Sequence, residues 1–283
     1  MSLLLAPPAP KPLTTPVPYF GAKTRVAARI VALMPPHQHY VEPFAGSLAV
    51  LLAKPRSSFE TVNDLDGFLV TFWRVLRDQP DDLERVCALT PHSRAEYWAD
   101  NPAEPGIGDL EVARRVFVRL TQGRGRSLHG SMYGWRHYGP STSKGTTSRF
   151  LERHIERLCP AAARLAGVQI ENKPAFDLID EYNQTDDQVI YADPPYPASC
   201  RTSGHPRYMV EADDDQFHRE LAERLHAVAG TVLVSGYHSP LYDRLYEDWQ
   251  AIDLPVQGNG HNGTHRTETV WTNQPTNKKE VLL

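Results

Sequence analysis

The sequence predicts a doubly wound α/β fold, and three observations carry that expectation. Short apolar runs alternate with helical stripes at both ends of the chain, as in strand–helix units around a parallel sheet. Two of the expected strands run straight into short turns rich in acids, prolines or small residues, Glu42-Pro43-Phe44-Ala45-Gly46-Ser47 and Asp193-Pro194-Pro195-Tyr196. The stretch between the two alternating regions is different in kind, basic and interleaved with glycine, serine, threonine and aromatics.

Taken in order, Pro7, Pro8, Pro10, Pro12 and Pro16 mark residues 1–16 as a flexible, extended leader. A first helix starts near Lys23, with Val26, Ile30 and Leu33 or Met34 on one face, and Pro35-Pro36 ends it. His39-Tyr40-Val41 reads as a strand entering the Glu42–Ser47 turn, and Leu48–Leu52 as a buried helix. Thr61-Val62 ends a second strand at Asn63-Asp64, followed by a helix through Phe68, Phe72, Val75 and Leu76. The alternation resumes at Val168-Gln169-Ile170, with a helix opening at Phe176-Asp177-Leu178-Ile179. Val189 to Ala192 is a buried strand. Phe217, Leu221 and Leu225 form a helical stripe behind Asp213 as its cap. Thr231 to Val234 forms a strand ending at Ser235-Gly236-Tyr237, and strands near Ile252 and at Thr269-Val270-Trp271 close the sheet. No internal repeat is visible.

Composition sets limits. The chain has 283 residues, 41% hydrophobic and 23% charged, with a formal net charge of -4, so overall charge does not announce a polyanion partner. Charge clustering does. From Val112 to Arg157 there are ten Lys/Arg against two acids, a local balance of +8, beside Tyr133, Trp135 and Tyr138. That one-sided excess favours a nucleic acid over a merely solvated face. Cys87, Cys159 and Cys200 are scattered, without zinc spacing, and read as free thiols in a reducing cytosol. No apolar stretch is long enough to span a bilayer.

Asp193-Pro194-Pro195-Tyr196 carries the chemistry. It sits at a strand's carboxyl end, where open α/β sheets place ligands. Its prolines hold the backbone extended and fix the direction of the Pro194 carbonyl. A carboxylate and a carbonyl together can accept both hydrogens of an exocyclic amine, while an aromatic ring stacks on the base. A proline-stiffened turn after a core strand is the plainer alternative. The Glu42–Ser47 turn has one glycine, so it is not a phosphate-cradling loop, and a nucleoside without pyrophosphate suits it better. Asp64 is placed to accept hydrogen bonds from ribose hydroxyls or to cap the next helix.

In this order the motifs resemble the D12-class, Dam-like DNA adenine-N6 methyltransferases, from about Pro18 to Asn273. Pro18-Tyr19-Phe20-Gly21-Ala22-Lys23 is similar to the family's opening cofactor motif, and Glu42 to Ser47 to the loop that holds S-adenosylmethionine. Asn63-Asp64 matches the pair whose aspartate meets the ribose, and Phe176-Asp177 the position that reads the cofactor's adenine. Arg266 to Asn273 resembles the closing strand.

The resemblance implies a Rossmann-like methyltransferase sheet formed by residues 17–80 and 160–274. It also implies a mainly helical target-recognition insert at 81–159 and a polar tail at 275–283. The expected enzyme is site-specific, as in restriction–modification, cytoplasmic and encoded by a bacterium or phage, with S-adenosylmethionine as cofactor and DNA as partner. No metal is required, because a sulfonium is already a good leaving group. Asp193, Pro194, Pro195 and Tyr196 would act on a flipped-out adenine. Tyr19, Gly21, Lys23, the Glu42–Ser47 loop, Asp64, Phe176 and Asp177 would bind cofactor. Arg124, Arg126, Arg136 and Lys144 would bind DNA, and Arg114 and Arg115 would meet phosphates or simply carry surface charge. Ser199 to Met209 is either a lid over the base or a surface loop.

Two departures stand out. Leu48 replaces the loop's usual second glycine, and Leu120 to Tyr138 lacks the N-G-x-x-R and F-N-V-P-F-G pattern that goes with GATC recognition. Two other readings remain: a cytosine-N4 methyltransferase, and a catalytically silent DNA-binding relative.

Overall fold

The computed structural model describes residues 12–125, 128, 134–137, 147–197, 214–255 and 267–274. Seven strands make one sheet: β1 (His39–Glu42), β2 (Phe59–Asn63), β3 (Gln169–Glu171), β4 (Gln188–Ala192), β5 (Thr231–Gly236), β6 (Gln250–Leu254) and β7 (Glu268–Thr272). Their spatial order is β3-β2-β1-β4-β5-β7-β6. The first five strands pair in parallel, and β7 lies antiparallel between β5 and β6. Parallel strands are buried on both faces, and β4 shows how. Its Val189 and Tyr191 enter one apolar cluster, its Ile190 and Ala192 the other.

The first cluster is covered by α1 (Ala27–Val31), α2 (Ala49–Ala53) and α3 (Gly67–Asp78). Then come α4 (Pro80–Leu89), α5 (Arg94–Ala99), α6 (Asp109–Gln122) and α7 (Thr147–Ile155), and α8 (Leu158–Leu165) returns the chain to this face. Leu83 and Cys87 of α4 and Val112, Ala113, Val116, Phe117 and Leu120 of α6 belong to the same cluster as α3 and α8. Segment 81–159 therefore shares the apolar core on this side. The opposite face is covered by α9 (Ala175–Glu181), α10 (Asp215–His226) and α11 (Pro240–Leu245).

Several expectations shift in detail. The first helix begins at Ala27, not near Lys23. Residues 13–16, expected to be part of a flexible leader, are held in place: Leu13 N donates to Leu52 O at 3.3 Å and His154 Nδ1 donates to Pro16 O at 2.8 Å. Those contacts satisfy backbone groups and dock residues 13–16. Asp214, whose side chain accepts from Phe217 N at 2.6 Å, caps α10, whereas Asp213 lies outside the described residues. So do Ser199 to Met209, Tyr133, Tyr138 and Arg266.

A buried ion network ties β2 to α8. Arg164 donates to both Glu60 oxygens at 2.5 and 2.7 Å, and Lys54 Nζ donates to Glu60 at 2.7 Å. Burial opposes the Glu60 charge, but the two cations outweigh it and lower its pKa. Arg164→Met should cost about 3–5 kcal/mol of stability in urea unfolding, because it removes one partner of a buried carboxylate. A loss below about 1 kcal/mol, as for a surface pair, would show that the network is no structural anchor.

Candidate active site

The carboxyl ends of β1 and β4 lie side by side where the strand order reverses, the crevice in which open α/β sheets bind ligands. A cavity of about 300 Å3 opens there. One wall is the turn from β1 into α2. Ala45 N donates to Asn63 O at 2.8 Å, Gly46 N to Asp64 Oδ2 at 2.8 Å, and Trp73 Nε1 to Gly46 O at 3.0 Å. Gly46 has φ +46°, a conformation that favours glycine, and a Cβ on it would come within a tight 3.3 Å of the Tyr19 ring.

Leu48, in place of the second glycine, also adopts the left-handed conformation, with φ 53° and ψ 28°. That conformation costs a leucine about 1–2 kcal/mol. Leu48 is fully buried in the core, which offsets the strain by about 1.5–3 kcal/mol. The turn keeps its shape through packing instead of through a missing side chain.

The second wall is Asn63-Asp64. Asn63 Nδ2 donates to Pro43 O and Lys173 O, both at 3.0 Å, and Asn63 Oδ1 accepts from Lys173 N at 2.9 Å, clamping two loops together. Asp64 accepts from Gly46 N and, at 3.0 Å, from Asp66 N. It does not cap α3. Asp66 does, accepting from Phe68 N at 3.0 Å. Burial pushes the Asp64 carboxyl up to about 6, against the backbone amides that favour its charge. Glu42, almost fully buried at the end of β1, is pushed up to about 8 by burial, although Tyr40 donates to it at 2.9 Å.

Aromatic rings form a third wall. Phe176 and Phe217 stack with centroids 4.9 Å apart and planes 20° apart, and Phe44 meets Phe217 edge-on at 6.4 Å.

The end of the cavity is charged. Lys23 Nζ donates to Asp193 Oδ1 at 2.7 Å and Oδ2 at 2.8 Å, to Tyr196 OH at 2.7 Å and to Gly21 O at 3.0 Å. Burial opposes the Lys23 charge, but Asp193 and Glu268 outweigh it and raise its pKa, so the ammonium persists. Burial raises the Asp193 pKa and Lys23 counters it. Tyr196 packs against Tyr237, centroids 4.7 Å apart. This arrangement offers a fixed carboxylate beside a ring at the mouth of a cavity lined by carboxylates and aromatics.

Tyr19, Gly21, Lys23, Glu42, Pro43, Phe44, Ala45, Gly46, Ser47, Asp64, Phe176, Asp193, Pro195 and Tyr196 all line the cavity. Pro194 is buried beside it and is not among the lining residues. Asp177 is the exception among the acids: it is exposed in the first turn of α9, away from the lining. Phe217 lines the cavity although its spacing marked it as core. Glu268, inside the closing-strand motif, carried no signal of its own as a partner of Lys23.

The family model for D12 class N6 adenine-specific DNA methyltransferases matches residues 19–257. The chain belongs to this family. The enzyme is therefore an adenine-specific DNA methyltransferase, with DNA as substrate and a methyl donor as co-substrate. Among solved structures it resembles yhhF from Escherichia coli, described as a candidate methyltransferase, with 11% identity over 93% of this chain and 92% of that one, at a TM-score of 0.35. The Rossmann-like assignment rests on the sheet order and not on that likeness. No curated protein matches the chain. No helix among the described residues is long and apolar enough to cross a membrane, and no group of three His, Cys, Asp or Glu among them could hold a metal.

The methyltransferase's basic segment is less free than its composition suggests. Arg114 bonds Glu111, Glu96 and Asp100, and Arg115 bonds Glu111 and Glu104. Both are engaged by acids that lie before Val112 in sequence, so neither is an unpaired surface charge. Arg136 Nη2 donates to Gly123 O at 3.1 Å, and its guanidinium lies 5.2 Å from the Phe150 ring. Gly123 and Trp135 form an antiparallel bridge, and a Cβ on Gly123 would meet Arg119 O at 2.5 Å. Arg124, next to that bridge, is exposed. Arg126 and Lys144 lie outside the described residues.

Proposed function

We propose that the enzyme transfers a methyl group from S-adenosylmethionine to N6 of an adenine flipped out of DNA, with Asp193, Pro194, Pro195 and Tyr196 at the reacting amine. The carrying observation is the Lys23–Asp193–Tyr196 cluster at one end of a cavity whose other walls suit a nucleoside. The stacked Phe176 and Phe217 suit the adenine of the cofactor. Asp64 suits its ribose, and Glu42 to Ser47 line the space between. When bound, S-adenosylmethionine supplies a methyl group on a sulfonium.

The protein's part is to hold the amine. An adenine amine is a poor nucleophile because its lone pair is delocalised into the ring. Asp193 accepts one N6 hydrogen and the Pro194 carbonyl the other, which favours a tetrahedral nitrogen and stabilises the charge that develops on it. Lys23 leaves room for this, since a carboxylate has about four acceptor sites and Lys23 uses two. Aligning the amine with the methyl group supplies much of the remaining acceleration. Tyr196 stacks on the flipped base. Calorimetry of S-adenosylmethionine with the protein tests the cofactor assignment: one site is expected, and no heat at millimolar cofactor would refute it.

Segment 81–159 is the proposed reader of DNA, in a cytoplasmic enzyme that meets DNA directly. Arg124 is its best-placed candidate, because the other described arginines named here are engaged. If Arg124 reads a base, Arg124→Ala changes the methylated site and costs about 1–3 kcal/mol against the right sequence. If it meets a phosphate, binding weakens evenly across sequences and the salt slope falls by about one unit. Methylation-site sequencing with salt-dependent binding distinguishes the two. An Arg124→Ala enzyme unchanged in both would move the reader elsewhere.

A further inference from the structure

Glu268 stands behind the charged end of the cavity without lining it. It is the first residue of β7, in register with Leu254 of β6, and only 4% exposed. Tyr196 OH donates to its two oxygens at 3.1 and 3.3 Å, and Lys23 Nζ lies 3.6 Å from its Oε1. One ammonium thus faces two carboxylates, Asp193 in front and Glu268 behind, and one phenol bridges the ammonium and the rear carboxylate.

We propose that Glu268 is a positioning residue for methyl transfer, holding the Tyr196 ring and the Lys23 ammonium so that Asp193 stays open to the amine. Tyr196 OH accepts from Lys23 at 2.7 Å, so its own proton must go elsewhere. Glu268 takes it. Without that acceptor the phenol proton turns toward the next available oxygen in the cluster, and the Asp193 carboxylate is the one Lys23 already holds. A phenol bonded there competes with the incoming amine and tilts the ring that should stack on the base. Glu268 also shares the ammonium, which weakens the hold of Lys23 on Asp193. The sheet makes it a fixed reference, since β7 is paired on both sides.

This inference rests on the proposed transfer to adenine, and the test separates the two. Wild type, Glu268→Gln and Glu268→Ala are compared for kcat and KM with DNA, for S-adenosylmethionine affinity by calorimetry, and for the NMR signal of the Lys23 ammonium. The alanine variant should lose about 10- to 100-fold in kcat, with KM and cofactor affinity within about threefold, the pattern of an interaction that matters mainly in the transition state. Its Lys23 ammonium signal should broaden as the proton exchanges faster. The glutamine variant keeps an acceptor for Tyr196 and should recover most of the lost kcat.

The pH profile gives a further readout. Burial pushes the Glu268 carboxyl up, with Lys23 opposing and Asp193 adding to the shift, and Tyr191 and Tyr196 also face it. As the Glu268 carboxyl protonates at lower pH, wild-type kcat should fall only to about the Glu268→Gln level, because a protonated carboxyl, like the amide, keeps a neutral oxygen to accept the phenol proton, and this inflection should vanish in Glu268→Gln. An alanine variant with kcat within threefold of wild type, or a loss carried wholly by cofactor affinity, would overturn the proposal. A wild type that moves no methyl group to DNA would instead strike the proposed function, and the ammonium signal would still report on Glu268.

Discussion

Asp193→Ala is expected to lower methyl transfer at least about 10²–10³-fold, the loss seen when one preorganised group at a developing charge is removed. Cofactor affinity should change by less than about threefold, because Asp193 meets the amine and not the cofactor in the proposed arrangement. Alanine also leaves the buried Lys23 ammonium with Glu268 at 3.6 Å as its remaining carboxylate, so its folding should be checked. Asp193→Asn separates these effects. It keeps an oxygen acceptor for the amine but loses the charge that Lys23 pairs with. Single-turnover rates with saturating DNA and cofactor should rank wild type, then asparagine, then alanine. Near-normal turnover in the alanine variant would remove Asp193 from the reacting centre.

Asp64→Ala should raise the S-adenosylmethionine dissociation constant by about one to two orders of magnitude, as for the loss of charged hydrogen bonds worth about 1.5–3 kcal/mol. The structure adds a second reason. Asp64 fixes the amides of Gly46 and Asp66, so its removal also loosens the β1–α2 turn. Asp64→Asn retains acceptor capacity at one oxygen and should show a smaller effect. The sign of the pH dependence follows from the raised pKa. An ionised Asp64 accepts from ribose hydroxyls, so wild-type affinity should weaken as pH falls through about 6, and the asparagine variant should lose that inflection. Glu42, displaced to about 8, titrates in a separate range. DNA affinity without cofactor should be unmoved by Asp64→Ala, and calorimetry showing unaltered cofactor binding would exclude the ribose contact.

Much of the catalytic half was legible because its physics is local. Parallel strands buried on both faces read as short apolar runs, which located β1, β2, β4 and β5. Their carboxyl ends fall at acidic or proline turns, which located Glu42, Asp64 and Asp193. Features set by packing in three dimensions were not legible. The departure at Leu48 was visible as a missing glycine, but its left-handed conformation depends on the core that swallows the side chain. Phe217 carries a helical core spacing and yet lines the cavity, because α10 presents it beside Phe176.

The basic middle shows a different limit. Counting charges from Val112 to Arg157 left out Glu96, Asp100, Glu104 and Glu111, the acids that neutralise Arg114 and Arg115 in space. Asp177 shows the reverse. It follows a cavity residue in sequence, yet one step along α9 turns it out to solvent. Glu268 sat in a motif read only as a closing strand. Its meaning depends on β7 lying between β5 and β6, which places its carboxylate behind Lys23.

The most direct test of the account is nucleoside analysis of unmethylated DNA incubated with the protein and S-adenosylmethionine labelled at the methyl group. The account requires label in N6-methyldeoxyadenosine for wild type and none above background for Asp193→Ala, with both proteins binding cofactor. Label in N4-methyldeoxycytidine, or no label in DNA from a wild-type protein that binds the cofactor, would contradict it.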